Sequence, residues 1–412
     1  MVPPLPGDVF PGPGRGETFR APPGRRERTL REDPMQTANR QTSGFRAATA
    51  ALALLLAAAS AASGETRKLE RQIDTTPGTV VEIHNLAGTV TLVPASGGRL
   101  SLAADVHAEA SAGRSAAELA EAIAFDVSER GGRIVVETRY PLGEIRRYHY
   151  PDPGRRESDS NGWLGNLAGN GMTNLRYLDT KVRIDRSPSS GAATVWADIR
   201  VEVPEGVTLT FRNAVGRIES AGVSAAQSLD TSSGGILVTD SRGKLVADTG
   251  SGDVEVTGHV GDLAVDTGSG SVVLSRVEAA AIAVDTGSGD VSLLDCNGDL
   301  AIDTGSGDIR GRGLVLGARV AADTGSGDVR LAGDFSAVRH LGIDTGSGDV
   351  VLDVSGELSA DLAVSTGSGE IEVGLAGRIV RKERGDLEIE LGSGLGRADI
   401  STGSGDVTIA AR

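Results

Sequence analysis

An all-β fold is predicted by this sequence: a parallel β-solenoid, wound as a right-handed β-helix of about ten coils of 18–21 residues, behind an N-terminal β-rich cap that carries one short helix. Three observations predict it. The pentapeptide D-T-G-S-G begins at Asp248, Asp266, Asp285, Asp303, Asp323 and Asp344, with relatives at Asp230 (D-T-S-S-G) and at Ser365 and Ser401 (both S-T-G-S-G). Successive starts from Asp230 to Ser365 lie 18, 18, 19, 18, 20, 21 and 21 residues apart, and such a period marks stacked supersecondary units. Between the motifs the residues are aliphatic, and Phe335 is the only aromatic after Phe211, which suits a narrow stacked core. A meander of hairpins has the same strand content but gives no reason for every second turn to match.

The elements follow in order. Residues 1–34 are rich in Pro, Gly and Arg and read as a disordered or wrongly assigned upstream segment, with Met35 the more natural start. Residues 35–64 read as a secretory signal: Arg40 and Arg46 precede the apolar run Ala47–Ala59, and Ala59-Ser60-Ala61 offers a cleavage site. Residues 65–141 form the β-rich cap, where Val90 and Leu92 alternate at strand period. One helix interrupts it over Ser115–Phe125, with Ser115 as N-cap and Glu118 three residues on. Residues 142–191 mix charge, Gly, Asn and Pro with four of the six Tyr and Trp residues, and read as a loop insertion. The strand pattern resumes at 192 and runs to 412, with Trp196 and Phe211 expected to plug the next unit. Ile282 and Val284 precede one T-G-S-G corner and Val291 and Leu293 follow it, so each unit is two short strands around a turn. After Ser365 the next copy comes 36 residues later, and E-L-G-S-G-L at Glu390–Leu395 reads as a degenerate corner in the gap.

Charge excludes some functions. From Ser228 to Arg412 there are 30 acidic residues against 14 basic ones, a formal −16 that carries essentially all of the chain's −15. Such a stretch repels phosphate backbones, so nucleic acid is not expected as a partner. Cys296 is the only cysteine, which rules out an intramolecular disulfide and a Cys-based zinc site, and the five histidines lack ligand spacing. The apolar run at Ala47 is shorter than a membrane span needs, and no integral span is expected in the mature chain.

The chemistry therefore concentrates in two columns of carboxylates that stacking creates. Asp248, Asp266, Asp285, Asp303, Asp323 and Asp344 stand before the turn; Asp253, Asp290, Asp308, Asp328, Asp349 and Asp406 stand after it. D-T-G-S is also the active-site tetrad of two-lobed acid proteases, but turns this close in sequence cannot each belong to a separate lobe. Neighbouring charges about 4.8 Å apart repel by about 0.9 kcal/mol in water, so an offset is required. Backbone N–H donation to each carboxylate at its corner is one. Calcium is another, because two nine-residue β-roll repeats would fill an 18-residue coil, although the Asp position departs from the roll motif. A polysaccharide lyase or glycosidase on a β-helix is a third reading. Uniform columns argue against it, since a catalytic acid and base need different environments. The best break in uniformity is G-R-I-V-R-K-E-R-G-D-L-E-I-E at Gly377–Glu390.

From Glu65 onward the chain resembles a bacterial family of candidate adhesins, exported β-strand-repeat proteins of unknown function akin to polymer-forming β-helix domains. The resemblance is carried by V-E-I-H-N-L-A-G-T-V-T-L-V near the start, by I-R-V-E-V-P-E-G-V-T-L-T-F-R-N-A-V-G-R-I-E at Ile199–Glu219, and by the D-T-G-S-G-D-V coils. It implies a non-enzymatic, adhesin-like scaffold at the cell surface or in the periplasm, without cofactor, that meets a surface glycan or protein. The final strand, G-D-V-T-I-A-A-R at Gly405–Arg412, shows no polar cap, from which end-to-end self-association is expected.

Overall fold

A computed structural model describes residues 64–151, 172–189 and 191–412. The expected upstream segment and, apart from Gly64, the expected secretory signal lie outside the described residues.

Strands on either side of each T-G-S-G corner pair with the coils before and after. Leu245–Thr249, Leu263–Thr267, Glu278–Thr286 and Asn297–Thr304 run parallel, with Asp248 opposite Asp266, Asp266 opposite Asp285 and Asp285 opposite Asp303. After the corner, Val254–Thr257, Val272–Ser275, Val291–Leu294 and Ile309–Arg312 form a second parallel ladder. The corner is therefore one bend of a β-solenoid, and strand alternation sends Leu263, Val265 and Thr267 inward while Ala264 and Asp266 face out.

The solenoid starts earlier than residue 192. Val80–Ala87 pairs in parallel with Thr208–Val215, which pairs with Ala226–Ser233, and this register places Asn85 beside Asn213 and Asn213 beside Thr231. N-L-A-G at Asn85–Gly88 and N-A-V-G at Asn213–Gly216 are thus two further corners, with Asn in the place of Thr. Asn85 Nδ2 donates to Asn213 Oδ1 at 3.1 Å, which links the two coils through fully buried amides. Phe211 fills the core here, as expected, whereas Trp196 stays partly exposed and stacks on His107 at 5.1 Å.

Beyond this first coil the stack turns antiparallel. Gly64–Asp74, Arg99–Glu109 and Ala193–Val203 extend one ladder, and Ala124–Arg130 with Arg133–Arg139 extends the other. The helix occupies Ala116–Ala122 with Ser115 as N-cap in a full capping box with Glu118. Its C-terminal carbonyls are met by one side chain, Arg67 Nη1, which donates to Ala120 and Ile123 oxygens at 2.9 and 3.0 Å.

The segment 142–191 is not the loop expected. Its described residues form three strands, Arg147–His149, Met172–Tyr177 and Thr180–Asp185, that pair with one another and with Ala193–Val203. Tyr148, Tyr150 and Tyr177 are buried beside Tyr140, and Tyr140 meets Tyr148 and Tyr177 edge to face at 5.7 and 5.9 Å. These tyrosines fill the core of the cap.

At the far end, spatial order departs from chain order. His340–Thr345 pairs with Gly396–Thr402, which pairs in turn with Ala360–Thr366. On the other ladder Val407–Ala411 lies between Val350–Ser355 and Ile371–Val373. The coil bearing Ser401 is therefore inserted between the coils of Asp344 and Ser365. The 36-residue gap holds a hairpin, Gly377–Glu383 with Asp386–Leu391, whose second strand pairs antiparallel with Ala360–Thr366 and covers it. E-L-G-S-G-L is consequently the exit of that hairpin, with Gly392 and Gly394 at φ +59° and +64°, and is not a coil corner. The basis for end-to-end stacking through Gly405–Arg412 also falls, because that strand is paired on both sides.

Candidate functional site

The repeated corner is the feature any function must be built on. Its Thr is buried from Thr231 to Thr402, and from Thr286 onward it works twice. Thr286 Oγ1 donates to the Gly270 carbonyl of the preceding coil at 3.0 Å and accepts the Gly289 N–H of its own turn at 3.2 Å. The same pair recurs at Thr304, Thr324 and Thr345. At Thr402 the donation crosses to Gly348, and at Thr366 to Gly405, which traces the altered coil order. The second Gly is fixed by space: a Cβ on Gly289 would sit 1.7 Å from the Gly270 carbonyl oxygen, and one on Gly307 1.9 Å from that of Gly289. Ser288, Ser306 and Ser326, between the two glycines, are exposed at the tip.

The Asp residues before and after the turn differ in chemistry. After the turn, Asp290 Oδ1 accepts the Asp308 N–H at 2.8 Å, Asp308 Oδ1 the Asp328 N–H at 2.7 Å, and Asp328 Oδ1 the Asp349 N–H at 2.9 Å. Asp349 then accepts from Asp406, and Asp406 from Glu370, while Asp253 accepts from Ser271. The donor is the amide of the next coil, where a local Asx-turn was expected. Each carboxylate thereby meets a backbone N–H at a charge-assisted distance. The Asp349 amide, outweighing burial together with Arg330, holds the Asp328 carboxyl below its ordinary range.

Before the turn, among the described residues, no backbone N–H donates to the carboxylates. Asp344 accepts Ser401 Oγ at 2.7 Å, and Asp230 lies 3.7 Å from Arg212 Nε, at the two ends of the column. Between them, partial burial first and the preceding Asp second push the carboxyls of Asp248, Asp266, Asp285 and Asp303 above the ordinary range. Asp285 is thus one of a row of like charges, each facing the same neighbours. Among the described residues no three His, Cys, Asp or Glu side chains are grouped as a metal site requires. Cys296 is buried against the Leu294 carbonyl.

Gly377–Glu390, the break in uniformity, is the covering hairpin: Arg378 pairs with Glu390, and Arg381 with Glu383 and Glu388. A hairpin missed in the sequence lies at Met172–Asp185, where T-N-L-R-Y and T-K-V-R-I-D alternate around Leu178-Asp179. Both turn residues take positive φ, +44° and +64°, as a two-residue hairpin turn demands. That alternation was the available signal.

In-register coils, corners locked by Thr and Gly, and a capped end define a β-solenoid repeat protein. Residues 198–410 match the Toastrack DUF4097 family, and the chain belongs to it. Among solved structures, a candidate adhesin from Bacteroides fragilis NCTC 9343 is similar at 11% identity, with 70% of this chain and 97% of that chain covered and a TM-score of 0.29. A candidate adhesin from Parabacteroides merdae ATCC 43184 is similar at 9% identity, covering 84% and 96%, with a TM-score of 0.28. A candidate cell-adhesion protein from Clostridium sporogenes ATCC 15579 is similar at 8% identity, covering 84% and 100%, with a TM-score of 0.21. No curated protein matches the chain.

Proposed function

We propose that this chain is an exported, non-enzymatic β-solenoid scaffold, an adhesin-like interaction protein of the cell surface or periplasm. The observation that supports it most is the use made of the repeated residues. Thr and the second Gly of each corner bind coil to coil, and the post-turn Asp binds the next coil's amide, so the motif is spent on stacking. The remaining Asp column is uniform, and a general acid and base need carboxyls with separated environments. The apolar run with its small-residue cleavage site supports export.

Two measurements test this. N-terminal sequencing of protein recovered from outside the cytoplasm should give a chain that begins just after Ala61; a chain that still starts at Met1 or Met35 in the cytoplasm refutes export. Incubation with acidic and neutral polysaccharides should give binding without released product, and turnover of any of them refutes the scaffold reading.

A further inference from the structure

The cap carries a cationic groove on a chain whose repeat region has the opposite charge. The groove, about 800 Å³, is lined by Arg146, Arg176, Lys181 and Arg183 together with Leu175 and Val182. A second groove, of about 700 Å³, meets it at Arg146 and Arg183 and adds Arg147, together with Arg114 in an ion pair with Glu144.

The hairpin builds this surface by alternation. Leu175 opposes Val182 on the side turned to the core, and Arg176 opposes Lys181 on the side turned to solvent, so alternation gathers the cations on one face. Beneath them sits Asp185, whose side chain is 4% exposed. It accepts Arg147 Nε at 2.7 Å, Arg183 Nε at 2.9 Å and Ser189 Oγ at 2.5 Å. Burial alone would raise its carboxyl, but Ser189, Arg183 and Arg147 outweigh it and hold it ionised. Both guanidiniums are thereby fixed through Nε, and among the described residues their terminal Nη groups meet no acceptor. Arg146, Arg176 and Lys181 are exposed and, among the described residues, make no ion pair.

We propose that this groove binds an acidic polysaccharide, one whose anions are carboxylates or sulfates. Fixed guanidinium forks match such anions in bidentate geometry, and the half-buried Leu175 beside them adds an apolar contact for the C–H face of a sugar ring. Nucleic acid fits less well. Among the described residues no aromatic lines either groove for bases to stack on. The proposal deepens the scaffold reading by naming a ligand class, and rests on it only for access to such a polymer.

The test uses the purified full chain with alginate, dextran sulfate, neutral dextran and a single-stranded oligonucleotide, at roughly 50 mM salt where screening is weak. Alginate or dextran sulfate should bind, and the triple variant Arg146→Ala, Arg176→Ala, Lys181→Ala should bind roughly tenfold or more weakly. A control of equal charge loss, Arg312→Ala, Lys382→Ala, Arg384→Ala, should bind as the parent does. The proposal is overturned if neither acidic polymer binds, if both triples weaken binding equally, or if the oligonucleotide binds as tightly as the polysaccharides. Binding of neutral dextran alone sinks the groove and leaves the scaffold; breakdown of alginate with the groove variants inactive sinks the scaffold and leaves the groove.

Discussion

Each letter of D-T-G-S-G answers to a different physical demand, so substitutions within one corner should separate cleanly. Thr286→Val keeps shape but strands the Gly270 carbonyl and the Gly289 N–H, and should lower stability by about 1–3 kcal/mol in urea unfolding. Gly289→Ala must push two coils apart and should cost about 3 kcal/mol. The two aspartates of a corner should respond with opposite sign. Asp308→Ala removes the acceptor for the Asp328 amide and should destabilise by about 1 kcal/mol. Asp303→Asn removes one charge from a repelling row and should stabilise by up to about 1 kcal/mol, less at high salt.

The same row sets a pH dependence. The carboxyls of Asp248, Asp266, Asp285, Asp303 and Asp323 bind protons more tightly folded than unfolded. Their contribution is complete below the unfolded value of about 3.9 and is lost as pH rises through their raised folded values. Asp328 and Asp185, held low, act the other way and lose their contribution as pH falls below that value. Buried His259, held below its ordinary value, also opposes the raised carboxyls as pH falls from 7, so the row shows in a difference: on lowering pH from 7 towards 5 the Tm of the parent should gain relative to that of Asp285→Asn, and parallel curves contradict the row of raised carboxyls.

At the scale of the element, the repeat was legible because identical residues recur at a nearly fixed interval, and alternation around them gave the inward and outward faces. Two kinds of element were hidden. Asn85 and Asn213 replace the Thr of the corner, so a search keyed to T-G-S-G passes over the first two coils although the buried amide does the same bridging work. The cap hairpin at Met172–Asp185 was masked by its setting, because Gly, Asn and charge on both sides gave the whole stretch the composition of a loop. The groove cations went unnoticed with it. The covering hairpin at Gly377–Leu391 has its own consequence. Its outer strand carries Arg378, Arg381 and Lys382 on an exposed edge, a device that discourages further strand addition. Replacing 377–391 by a short Gly-Ser linker should bare the Ala360–Thr366 edge, and light scattering should then show mass that grows with concentration; a strict monomer would show the hairpin is dispensable for capping.

For the whole molecule, what the sequence could not reveal is the order of the coils in space. Spacing reports that units stack, yet every T-G-S-G coil presents nearly the same edges, so nothing local says which neighbour each will take. The placement of Gly396–Ala411 between two earlier coils predicts an asymmetric response to truncation. In a stack built in chain order, loss of the last coil removes one layer and leaves the rest intact. Here a chain ending at Leu395 loses the layer between His340–Ser355 and Ala360–Val373, so its urea transition should broaden or split; one sharp transition shifted by a single coil's worth would argue against the insertion.

The inserted coil also orders events in time. Residues 346–355 and 360–373 leave a ribosome or a translocation pore before the strand that joins them exists, and until residue 411 has emerged they face each other across a missing layer. A polypeptide interrupted within residues 396–411 keeps open strand edges on both neighbouring coils, while one that includes them pairs both. Strand pairing across that layer is thus present only in molecules synthesised through residue 411.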